Sequence, residues 1–152
     1  MNWVRIKPLL SEQLIIEFEN VVGYLFPTEF KEVIKIYNGA SPESKEFRYK
    51  QGNSIVSRVF NNLLSFNKDD RTNIWRTNQI IHTIWGENGE LDQYVVFAND
   101  PFGNKICFDK TNDHIVFIDH ETLNIEHVAD SFSEFIAGLK KIEWSENALI
   151  QA

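Results

Sequence analysis

The chain has 152 residues, 43% of them hydrophobic and 13% aromatic, with a net charge of −7 and a single cysteine, Cys107. That is ample apolar material for the core of one domain, so a disordered chain is excluded, and one thiol cannot form an internal disulfide. The acidic balance disfavours direct binding to nucleic acid, and no run approaches the 18 apolar residues of a membrane span. The opening MNWVRIKPLL lacks the apolar core of a signal peptide, so a cytoplasmic protein is expected, one domain over residues 1–152.

In chain order, Ser11 is placed to cap a first helix with Leu14, Ile15, Phe18 and Val22 on one stripe. Pro27-Thr28 opens a second helix. Its apolar positions Phe30, Val33, Ile34 and Tyr37 recur at helical spacing, and Asn38-Gly39 ends it. Phe47–Tyr49, Ser54–Phe60 and Leu63–Phe66 read as short strands, followed by the charged turn Lys68–Arg71. Ile74, Trp75, Asn78, Ile81 and Trp85 suit a helical stripe, while Ile80–Ile84 also fits a strand; helix is preferred. After the turn Glu87–Glu90 come strands Tyr94–Ala98, Lys105–Asp109 and Ile115–Asp119, with a fourth over Asn124–Val128. Their links are too short for parallel crossovers, so antiparallel hairpins are expected. Ser131 to Glu134 forms a capping box for a last helix carrying Phe132, Phe135, Ile136 and Leu139, and Trp144 falls in a C-terminal tail. The expected fold class is α+β, an antiparallel sheet flanked by helices, since the regular strand–helix alternation of a doubly wound sheet is missing.

Signals of catalysis are weak. There is no phosphate-binding glycine loop, no GxSxG and no HExxH. His114, Asp119 and His120 make the best histidine cluster. His114 and His120 would stand roughly 20 Å apart along one strand, too far to share an ion. Asp100 and Asp109 could pair across a hairpin, but nothing suggests a desolvated cleft. Cys107 sits among apolar neighbours and reads as an inert buried thiol. Trp75 and Trp85 read as core anchors, with an exposed hot spot as the other option. No catalytic residue, cofactor or metal is expected.

Charge is the stronger signal. Between Gly86 and Glu121, Glu87, Glu90, Asp92, Asp100, Asp109, Asp113, Asp119 and Glu121 face only Lys105 and Lys110, which puts −6 of the total −7 in that window. It reads either as a solubilising surface or as a docking face for a basic partner. The docking reading takes Glu87, Glu90, Asp92, Asp100, Asp109 and Asp113 as partner-binding residues, gathered in turns around one end of the sheet.

Three segments together resemble the SUKH superfamily, which includes the Smi/Knr-type cell-wall-assembly proteins. They are Leu25–Phe30 running to Tyr37-Asn38-Gly39, Val96–Asp100 with Gly103–Asp109, and Ala129–Ile136. Phe26 departs from the leucine that usually precedes the proline, and Asn104 from a frequent aspartate. The resemblance implies the SUKH fold and an immunity protein that binds and neutralises a polymorphic toxin. A narrower likeness to Bacillus immunity proteins implies an LXG-type toxin with a C-terminal RNase domain. A nuclease face is basic, and an acidic blocker could use that field to associate quickly. The rival readings are a non-catalytic adaptor or regulatory module with a cellular partner, and a metal-assisted enzyme.

Overall fold

The computed structural model describes residues 1–142. Helices α1 (Gln13–Val22) and α2 (Thr28–Tyr37) form where the two stripes predict them. The Gln13 N–H is held by Ser11 Oγ at 3.2 Å. Ile15 and Phe18 of α1 and Phe30 and Ile34 of α2 are buried, with Leu14, Val22 and Val33 packed at the margin. Gly39, at φ 72°, takes the left-handed turn that ends α2.

Asn38 does more than stop the helix. Its Nδ2 donates to the Lys7 carbonyl (2.7 Å) and to Ser65 Oγ (2.9 Å), while its Oδ1 accepts the Phe66 N–H (2.9 Å). A fully buried amide thus ties the N-terminal segment to the centre of the chain.

Two strands that sequence reading did not anticipate, β1 (Trp3–Val4) and β2 (Ser41–Pro42), pair with each other. β3 (Glu46–Gln51) and β4 (Ser54–Val59) form a separate hairpin. The main sheet has the order β5 (Asn62–Leu63), β6 (Tyr94–Asn99), β7 (Lys105–Asp109), β8 (Ile115–Ile118), β9 (Ile125–Ala129), antiparallel throughout. Where a strand over Leu63–Phe66 was expected, β5 ends at Leu63, with one more backbone bond from the Leu64 N–H to the Phe97 carbonyl (2.9 Å). Ser65, Asn67 and Asp70 are instead bonded into a loop, with Asn67 Nδ2 donating to Asp70 Oδ2 at 3.1 Å.

Ile74–Trp85 is helical, as preferred. α3 (Ile74–Ile80) starts on Asn73, whose side chain accepts the Arg76 N–H, and runs into a π-helical turn over Ile81–Trp85. α4 (Phe132–Ala137) is capped by Ser131, whose Oγ accepts the Glu134 N–H at 3.1 Å. The reciprocal bond reaches one residue further back than a standard capping box, from the Asp130 N–H to Glu134 Oε2. Trp144 lies outside the described residues.

β7 and β8 are buried almost throughout, as is the middle of β6, which requires cover on both faces of the sheet. A bulge between Val96 and Ala98 brings Phe97 to 4.6 Å from Phe108, ring centre to ring centre. Phe30 of α2 and Phe132 of α4 pack on both rings, and Phe47 and Tyr49 of β3 pack on Phe117. Phe26, the departure from the usual leucine, is absorbed here, 4.8 Å from Phe30 and 5.7 Å from Phe108.

β5 covers only part of the outer edge of β6. Beyond it, Asn78 of α3 takes over. Its Oδ1 accepts the Val96 N–H (2.8 Å) and its Nδ2 donates to the Val96 carbonyl (2.9 Å). One turn on, His82 Nε2 lies 2.7 Å from the Tyr94 carbonyl. Side chains stand in for the missing strand, so that edge does not present bare backbone.

Candidate partner-binding surface

The strand register decides where each acid of the −6 window lies. Tyr94 pairs with Asp109, Phe108 with Ile115, and Ile115 with Ala129. The approach to β6, the β7–β8 turn and the start of α4 therefore share one end of the sheet. That end carries Asp109 and Asp113, with Asp92 next to Gln93, whose carbonyl accepts the Lys110 N–H; Glu87 and Glu90 lie in the turn that leads to β6. Asn99 pairs with Lys105, so the β6–β7 turn with Asp100 lies at the other end, beside the β8–β9 turn with Asp119 and Glu121. The expectation that all six partner-binding candidates surround one end is corrected for Asp100.

Burial separates them further. Asp100 is only 4% exposed. Its Oδ1 accepts the N–H groups of Phe102 (2.9 Å) and Asn104 (2.8 Å), and its Oδ2 accepts Asn104 Nδ2 (2.7 Å). Asn104 Oδ1 then accepts the His120 N–H at 2.9 Å, so one network locks two hairpin turns together. An aspartate at 104 would set a second carboxylate against Asp100; the amide supplies the donor this turn needs. Asp109 is also buried, its Oδ1 accepting the Thr111 N–H (3.0 Å) and hydroxyl (2.7 Å). As free rim charges, Asp100 and Asp109 are corrected: both are the internal acceptors of tight turns.

The remaining four are exposed. Asp113 holds a left-handed backbone at φ 62° and accepts the Tyr24 hydroxyl at 2.6 Å. Burial, with the Asp113 carboxylate next in importance, pushes the Tyr24 phenol well above its ordinary range. Glu90 accepts the Asn88 N–H at 3.0 Å, and the backbone N–H groups of Glu90 and Asn88 hold its carboxyl below the usual value. Among the described residues, Glu87 and Asp92 make no side-chain hydrogen bond or ion pair.

Asp92 also lines a cleft of about 360 Å³ between α1 and α3, with Val21 and Val22 on one wall and Trp75, Gln79 and His82 on the other. Trp75 is half-buried. Its indole N–H donates to the Phe66 carbonyl (2.8 Å), its ring meets Phe18 edge-on at 5.2 Å, and Lys68 Nζ sits 4.3 Å from the ring centre. Trp85 is half-buried too, with Lys105 Nζ at 5.8 Å. The two lysines of the window are engaged: Lys110 Nζ donates to the Val22 carbonyl, and Lys105 Nζ to Asn99 Oδ1 at 3.1 Å.

The catalytic alternatives find little support. His114 precedes β8 and His120 follows it, so the strand separates them. Cys107 is fully buried, and burial pushes its thiol up, away from the reactive thiolate. Sequence reading missed a different group, His114 with His127 and Asp130.

A sequence model of the SMI1-KNR4 cell-wall family, SUKH_6, matches residues 12–136, from the approach to α1 into α4. The chain belongs to this SUKH family. It is also 26% identical over 148 residues to an SPbeta prophage-derived uncharacterized protein, YokK, of Bacillus subtilis strain 168, covering 85% of this chain and 73% of that one. The family segments expected from sequence fall on α2 with its Asn38 hub, on the β6–β7 hairpin with its Asp100–Asn104 lock, and on the entry to α4. Each of these holds the fold together. The exposed acids Glu87, Glu90 and Asp92 lie outside all three. Among the described residues no helix is long and apolar enough to cross a membrane.

Proposed function

We propose that this SUKH chain, acting as one domain, is an immunity protein that binds and neutralises a cognate polymorphic toxin, an LXG-type toxin with a basic C-terminal RNase domain. Family membership is the observation that carries the reading; the exposed acids of the turn before β6 and of the β7–β8 turn supply a means. Glu87, Glu90, Asp92 and Asp113 would meet the basic groups with which a nuclease holds phosphate, while the cleft beside Trp75 receives an apolar side chain. Long-range attraction between opposite fields speeds association, and close pairs slow dissociation. Neutralisation is occlusion of the toxin's site and requires no turnover.

The test is to look for an LXG-type toxin gene beside this one, express its C-terminal domain, measure protection in cells, and measure binding kinetics at several salt concentrations. Protection with a one-to-one complex, and association slowed by salt and by Glu87→Lys with Glu90→Lys, is the expected result. A folded, charge-reversed protein with unchanged rates would remove the acidic end from the interface. Failure to bind or protect, together with a stable complex with a host protein, would favour a regulatory adaptor.

A further inference from the structure

His114, His127 and Asp130 come from three separate places: the residue before β8, the middle of β9, and the link from β9 to α4. Each place is fixed by backbone. The His114 N–H is accepted by Asn112 Oδ1 (3.0 Å), and the His114 carbonyl accepts the Asp109 N–H (2.9 Å). His127 pairs with Val116, just past a bulge. Asp130 is held by its N–H bond to Glu134 Oε2. Both imidazoles aim Nε2 at one oxygen, Asp130 Oδ1, at 2.9 Å from His127 and 3.9 Å from His114. The ring centres are 5.0 Å apart, and one ligand atom from each of the three residues lies within 4.8 Å of the others.

We propose that these three side chains form a surface binding site for one divalent transition ion of the zinc class. Zinc takes imidazole nitrogen and carboxylate oxygen at about 2.0–2.2 Å in a tetrahedron, which sets donor atoms roughly 3.3–3.5 Å apart. The two nitrogen–oxygen separations bracket that range, and rotation of these partly to largely exposed side chains would bring all three donors to it. Two imidazoles and one carboxylate select zinc, nickel or copper over magnesium and calcium, which prefer oxygen throughout. Three protein ligands leave the fourth position to water. A plain His127–Asp130 ion pair would not need His114 directed at the same oxygen. The site goes beyond the toxin-binding reading and departs from the expectation of no metal, because composition does not reveal which histidines the register brings together.

Tag-free protein, stripped with a chelator, is titrated with zinc by calorimetry in a weakly coordinating buffer, and with cobalt by visible absorption. Expected are one ion per chain and a tetrahedral cobalt spectrum lacking a thiolate band. His114→Ala and His127→Ala should each weaken binding roughly 100-fold or more, while His120→Ala leaves it unchanged. Circular dichroism confirms that each variant is folded. Absence of saturable one-to-one binding, or binding that survives either His114→Ala or His127→Ala, would overturn the site.

Discussion

At the β6–β7 turn, the Asp100 carboxylate accepts three hydrogen bonds and is hidden from water; between Gly86 and Gln93, Glu87 and Asp92 are exposed and, among the described residues, have no side-chain partner. Both regions belong to the same acidic window, yet one uses its negative charge to shape backbone and the other leaves it free. Net charge alone does not distinguish these uses. A carboxylate two residues before a backbone N–H in a glycine-containing turn is a candidate for internal work, and Asp100, ahead of Phe102 and Gly103, fits that description.

The contrast can be broken first at the exposed end. If Asp92 meets a basic group of the toxin, Asp92→Ala should cost about 2–5 kcal/mol of binding, mostly as faster dissociation, with unfolding unchanged. Asp100→Ala should behave oppositely. Losing a buried, charge-assisted acceptor should cost about 2–4 kcal/mol of stability in denaturant unfolding, while the folded fraction binds at unaltered rates. If Asp100→Ala leaves stability intact, the distinction between the two regions fails.

Tyr24 joins the two uses of charge at a third place, a buried ring bonded to the exposed Asp113 of the β7–β8 turn. Its phenol ionises at higher pH in the folded state than in the unfolded chain. The stability this contributes is fully present below about pH 10, the unfolded value, and declines as pH rises above it. Tyr24→Phe should flatten that alkaline decline in unfolding midpoints measured between neutral and strongly alkaline pH. Glu87→Lys with Glu90→Lys should leave the chain folded, while stopped-flow association slows and loses salt dependence. Least of all, Asp119 is held below the usual carboxylate value, chiefly by the Thr122 and Glu121 N–H groups. Its contribution is present above the unfolded value and is lost as pH falls through the lowered one, so Asp119→Asn should remove a small part of the acid-side loss.

The strands of the main sheet were legible because apolar residues fill Tyr94–Ala98, Lys105–Asp109 and Ile115–Asp119 while asparagine, aspartate and glycine fill the links. The helical stripes were legible from spacing. What escaped depends on register. The bulges at Phe97 and near Ile115 shift which side chains meet, so neither the Asn78–Val96 bonds nor the meeting of His114 with His127 follows from local pattern. The split of the acids between the two ends likewise needs the pairing of Tyr94 with Asp109. The brevity of β5 follows from its loop, where side chains of Ser65, Asn67 and Asp70 satisfy one another instead of a neighbouring strand.

The side-chain closure of β6 determines how this protein can be joined to itself or to others. A strand arriving at that edge would first have to break both bonds of the Asn78 amide and the His82 contact, and would then leave a buried amide without partners. Addition of a peptide as a sixth strand there is therefore disfavoured. One substitution, Asn78→Ala, would leave the Val96 N–H and carbonyl buried beneath α3 without partners, so the same amide that closes the edge also holds the helix in place.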